Sequence, residues 1–140
     1  MRFLFVCALL IASASSLAAD AFCDSGVPHP IDLQLKHDLE RSGGVTSDMR
    51  DAFGKAYGAW DAELNRLYRA LMEALSADER QALRHAQRAW LAFRDAEAAF
   101  WNTEYVAGGG TLALVVADGK HVDFVRDRVC QLQRYKAPTP

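Results

Sequence analysis

The chain has 140 residues, with 16 basic and 18 acidic side chains, a net charge of −2 and 51% hydrophobic residues. That is the length of one domain with a short leader, long enough to bury a core. A near-neutral balance without any basic run excludes the phosphate-tracking surface of a nucleic-acid binder.

The leader is written at the N-terminus. Arg2 precedes an apolar stretch from Phe3 to Ala12 and a run of small residues from Ser13 to Ala19, the order of a secretory signal. Residues 1–18 form this expected signal, with cleavage near 18–21: Ser16-Leu17-Ala18 fits a small-x-small rule, and Ala19-Asp20-Ala21 is the second choice. The apolar stretch is too short to span a bilayer. Cys23 follows Asp20-Ala21-Phe22, which is not the small-residue box of a lipid anchor. The expectation is a periplasmic or secreted protein with no membrane span in its mature form, and one domain over residues 19–140. Cys7 leaves with the signal. Cys23 and Cys130 remain, and in an oxidising compartment two cysteines most often pair; two free thiols are the alternative.

After an irregular start, Ile31 to Arg41 predicts a short helix stopped by Gly43-Gly44. Thr46 or Ser47 is placed to cap a long second helix. Its apolar positions, Phe53, Tyr57, Trp60, Leu64, Leu67, Leu71 and Leu75, recur every three or four residues, the period of a helix with one buried face. Gly54 and Gly58 interrupt that helix and suggest a close helix crossing. Ser76-Ala77-Asp78-Glu79 is a capping box, and so short a break predicts an antiparallel partner helix running to about Tyr105. This third helix carries two adjacent stripes. One is Ala82, Ala86, Ala89, Phe93, Ala96 and Phe100, small enough for a neighbour to approach closely. The other is Leu83, Gln87, Trp90, Arg94, Glu97 and Trp101, half of it polar. Gly108-Gly109-Gly110 ends the helix. Thr111 to Ala117 reads equally as a short helix or a strand, after which Asp118 is placed to cap a last helix through Val122, Val125, Val129 and Leu132. The fold expected is all-α: an antiparallel bundle of three to four helices with two long central ones.

Two segments carry more than periodicity: Asp61-x-x-Leu64-Asn65-x-x-Tyr68, and Ala86-Gln87-Arg88-Ala89-Trp90-x-x-Phe93-Arg94-Asp95-Ala96. Together they resemble the LprI-like lysozyme-inhibitor family of small secreted helical domains, and the resemblance is firmest from Met49 to Arg128. It implies a helical domain that binds and inhibits lysozyme or another peptidoglycan hydrolase. Family cysteines align with Ala52, Ala98 and roughly Lys120, so the staple across the 98 and 120 positions is missing here as a pair.

Asp61, Asn65, Gln87, Arg94 and Asp95 match the signature polar positions. Pairing the helices antiparallel from the Leu75–Ser76 turn brings their levels opposite one another, which predicts a structural polar clamp with an Arg94–Asp61 ion pair. A catalytic carboxylate would need a cleft and a paired partner. The histidines at 29, 37, 85 and 121 lack zinc-type spacing, and no phosphate or dinucleotide fingerprint occurs. No enzyme activity, metal or cofactor is expected. For a partner, Gly109 and Gly110, with Lys120 and His121 beside them, are the candidate contacts on an expected exposed loop. An immunity or envelope accessory protein acting against a cell-wall hydrolase is the alternative that fits the same features.

Overall fold

A computed structural model describes residues 22–103, 106 and 108–136. The expected signal segment and the Pro-containing tail lie outside the described residues. Among the described residues the chain is all-α, with five helices in the order α1 (Phe22–Ser25), α2 (Pro30–Arg41), α3 (Thr46–Ala74), α4 (Ala77–Trp101) and α5 (Thr111–Lys136).

Local chemistry sets most of these boundaries. Pro30 opens α2, and His29 caps it by accepting the Ile31 N–H at Nδ1, 3.2 Å away. Gly43 (φ 58°) and Gly44 (φ 83°) take the left-handed backbone that turns the chain into α3. Val45 stands at the N-cap of α3 without a side-chain bond, one residue ahead of Thr46 and two ahead of Ser47, the expected caps. The capping box at Ser76 is complete: the Glu79 carboxylate accepts the Ser76 N–H at 2.8 Å, and Ser76 Oγ accepts the Glu79 N–H at 3.4 Å. α4 ends at Trp101 rather than near Tyr105, which lies outside the described residues.

The core forms chiefly between α3 and α5. Trp60, Leu67, Val125, Val129 and Leu132 are wholly buried, with Leu64, Leu71 and Val122 nearly so. Contacts Arg50–Asp118 and Tyr57–His121 show that α3 and α5 run in the same direction. α4 runs antiparallel to both and meets α5 through Gln87–Arg128, Trp90–Phe124 and Trp101–His121. α2 lies across the other side, where Asp32 accepts from Trp60 Nε1 at 3.3 Å and pairs with Arg126.

Three expectations change. α5 is one continuous helix, so Thr111–Ala117 is helical and Asp118 caps nothing; its carboxylate instead pairs with Arg50 at 2.7 Å. Gly119 lies inside that helix, where a Cβ would meet the Phe53 ring at 3.4 Å, an ordinary van der Waals contact. At Gly54 and Gly58 a Cβ would meet nothing within 4 Å among the described residues, so neither serves a close crossing with any described helix. In α4 the stripes are reversed: Ala82, Ala86, Ala89, Phe93, Ala96 and Phe100 face solvent, whereas Leu83, Gln87 and Trp101 are buried. The half-polar row turns inward because α5 presents Arg128 and Phe124 to it. A buried guanidinium needs an acceptor, and only that row has one.

His29 links folding to pH. Burial holds its pKa below the ordinary histidine value, with Glu63 and Asp32 opposing in part. The folded state therefore takes up a proton less readily than the unfolded chain. Stability is complete above the unfolded value of about 6.5 and declines as pH falls from there. Protonation would also occupy the Nδ1 acceptor that caps α2. Unfolding midpoints at pH 7.5 and 5.5 should show wild type weaker at the lower pH. His29→Asn, which keeps a capping group without titrating, should show a clearly smaller difference; equal differences would remove His29 from the effect.

Candidate functional site

The two motif segments converge on one cleft. On a helix, positions i, i+3, i+4 and i+7 share a face, and Asp61, Leu64, Asn65 and Tyr68 form such a set along α3. They line one wall of a cleft of about 340 Å³; Arg84, Gln87, Arg88, Trp90 and Leu91 of α4 line the other. Every residue named in the first motif therefore lines this cleft, as do Gln87, Arg88 and Trp90 of the second from the opposite wall. The walls meet at the capped Leu75–Ser76 turn, which fixes their spacing.

The polar signature residues do not form the expected clamp. Asn65 Nδ2 donates back along its own helix to Asp61 O at 2.9 Å and Asp61 Oδ2 at 3.0 Å. Arg94 pairs with its neighbour Asp95 at 2.7 Å, not with Asp61, and its guanidinium stands 5.6 Å from the Trp90 ring. Gln87 does share a cleft with Asp61 and Asn65, but Arg94 is not among the residues that line it. Gln87 is the member that bridges elements. Its Oε1 accepts from Arg128 Nε at 3.0 Å and Nη2 at 2.9 Å, beneath the cleft.

Arg128 is the residue that the sequence reading missed. It is only 5% exposed, and burial lowers its pKa from the usual arginine value. It donates to the Gln87 and Gln131 side-chain amides, Tyr135 is a further side-chain hydrogen-bond partner, and its guanidinium lies 5.5 Å from the Trp90 ring. No carboxylate pairs with it among the described residues. Its signal was indirect: a charged residue set among Val122, Val125, Val129 and Leu132 on an otherwise apolar face. Arg84 and Arg88, one turn apart on the cleft rim, are exposed and make no hydrogen bond, ion pair or ring contact among the described residues. Trp90 is half-buried and stacks on Phe124 at 5.8 Å. The result is an amphipathic cleft with positive charge on its rim and under its floor.

Removal of Arg128 should therefore matter more than removal of Arg94. Arg128→Ala strands the buried Gln87 acceptor and is expected to cost about 3 kcal/mol. Arg94→Ala, losing a pair with exposed Asp95 and one ring contact, should cost about 1 kcal/mol or less. Chemical unfolding of the two variants checks the order, and a larger loss for Arg94→Ala would contradict it.

The candidate contacts at the α4–α5 connection are separated in space. Gly109 and Gly110 are exposed on the turn, where Gly108 (φ 73°) and Gly110 (φ 86°) take left-handed backbone. Lys120 and His121 instead belong to α5, about 15 Å further along the helix axis. Lys120 is half-buried, and His121 packs edge-on against Tyr57 and Trp101 at ring distances of 6.3 and 5.6 Å. The expected loop pair is therefore a helical, packed pair. His121 does border a larger cleft of about 580 Å³ with Arg50, Asp51, Phe53, Tyr57 and Asp118. There the Arg50–Asp118 pair already matches cation to anion, and the aspartate raises the arginine's pKa. Among the described residues, no group of three His, Cys, Asp or Glu side chains is placed to hold a metal ion.

The sequence matches the family model of lysozyme inhibitor LprI over residues 39–132, a span that takes in α3, α4, both cleft walls and Arg128. The chain belongs to the LprI family. An uncharacterized protein of Rhizobium meliloti (strain 1021) is 29% identical over 99 residues, covering 61% of this chain and 70% of the relative. The crystal structure of an uncharacterized protein from Burkholderia thailandensis matches with a TM-score of 0.67 and 27% identity, covering 80% of this chain. This LprI-family chain spans 57% of that protein's length.

Proposed function

We propose that this chain is an exported inhibitor that binds lysozyme-type peptidoglycan hydrolases in the periplasm or outside the cell. The observation that carries this reading is the family match across residues 39–132, a region that includes every residue of the two motif segments. The geometry supports it. The motif side chains do not close into an internal clamp; the first motif's residues and Gln87, Arg88 and Trp90 of the second border an open cleft between two long helices held by a capped turn and a buried core. A preformed surface of this kind loses little freedom on meeting a partner. Among the described residues no helix is long and apolar enough to cross a membrane. The exposed Gly109–Gly110 backbone remains a second contact point.

The test is a cell-wall lysis assay with muramidases of animal, phage and bacterial origin, each incubated with the purified mature chain. Dose-dependent loss of lysis by at least one enzyme is expected. If all of them stay fully active at high micromolar chain, the inhibitor reading fails.

A further inference from the structure

Resting on the inhibitor reading, we propose that Arg84 and Arg88 bind the two catalytic carboxylates of the target muramidase. The first support is unmatched charge. Both guanidinium groups stand at the rim of the α3–α4 cleft without a partner among the described residues. The nearest cleft carboxylate, Asp61, lies on the opposite wall and already accepts from Asn65. Below the floor, buried Arg128 is bound by amide oxygens and adds positive charge that no carboxylate cancels among the described residues. An acidic group entering the cleft is therefore attracted from the rim and from beneath.

The second support is spacing. Residues four apart on a helix have Cβ atoms roughly 5–6 Å from one another. Glycoside hydrolases place their two catalytic carboxyl groups about 5–5.5 Å apart when retaining and about 6.5–9.5 Å apart when inverting. Two flexible arginines at the helical spacing can meet either arrangement, each guanidinium forming a two-pronged bond with one carboxylate. Trp90, Leu91 and Tyr68 supply an aromatic and apolar surface beside them, suited to the sugar-binding walls of such an enzyme. Inhibition follows by two routes: the arginines occupy the substrate's place, and a neighbouring cation keeps the catalytic acid ionised, so that it has no proton to donate to the leaving oxygen.

The experiment compares wild type, Arg84→Ala/Arg88→Ala, Arg84→Lys/Arg88→Lys and Arg69→Ala in the lysis assay and in direct binding. The enzyme is a muramidase that wild type inhibits, used as the natural form and as its catalytic-acid Glu→Gln variant. The alanine pair should weaken inhibition roughly a hundredfold or more with an unchanged melting midpoint. The lysine pair should recover only part of this, and Arg69→Ala should match wild type. The Glu→Gln enzyme should bind wild type more weakly, yet lose less affinity than the natural enzyme when the arginines are removed. If wild type inhibits but the alanine pair inhibits equally well, this assignment is overturned and the inhibitor reading stands. If wild type inhibits no muramidase, the inhibitor reading itself falls and the assignment with it. Binding to insoluble peptidoglycan that depends on the arginines, with no binding to the enzyme, would also overturn it.

Discussion

Trp60→Ala is expected to lower stability by about 3–5 kcal/mol, the usual cost of emptying a buried tryptophan site. The side chain is wholly buried. Its ring touches those of Phe22 and His29 at centroid distances of 5.2 and 4.5 Å, and its Nε1 donates to Asp32. Asp32 in turn meets Arg126 of α5. One residue thus joins α1, the cap of α2, the middle of α3 and the centre of α5. Small side chains cannot refill so large a space between rigid helices, so the loss combines burial with a cavity. A fall in melting temperature of about 10 °C or more is expected for a domain of this size. Phe93→Ala is the internal comparison: Phe93 is 54% exposed despite its contact with Phe124 and should cost far less. Comparable melting temperatures for the two variants would mean that the core is not centred where the structure puts it.

Loss of the Cys23–Cys130 bond is expected to cost about 2–5 kcal/mol. The two residues are bonded with their Cα atoms 5.5 Å apart, across a sequence separation of 107. A loop that long removes much freedom from the unfolded chain, about 4.7 kcal/mol in the chain-entropy account. The other ties of α1 to the domain are modest: Asp24 pairs with exposed Arg134, and Phe22 rests on Trp60. Cys23→Ser/Cys130→Ser should therefore unfold at clearly lower denaturant, and wild type held in reductant should coincide with it. A wild-type midpoint indifferent to reductant would show that the bond contributes nothing to stability.

The helices and their core faces were legible because the spacing from Phe53 to Leu75 and the capping box at Ser76 are local signals. What was not legible depended on a third element. Both stripes of α4 have helical period, and the choice between them rests on Arg128 and Phe124 arriving from α5. The clamp failed for the same reason: matching levels along two helices says nothing about rotation around them. Asp118 and Gly119 imitated a helix start because a glycine beside a capping residue resembles a break, although both lie within α5. Arg84 and Arg88 carry no local signal of a site, because only the fold sets the α3 motif across the cleft from them.

The inhibitor assignment is tested most directly by competition for the enzyme's cleft. The purified chain is titrated into a muramidase by calorimetry, first alone and then with a short chitooligosaccharide filling the substrate site. Saturable one-to-one binding, weakened in proportion to the saccharide's occupancy, is the expected result. Binding unaffected by saturating saccharide would place the contact away from the catalytic cleft, and no binding to muramidases of any origin would contradict the assignment outright.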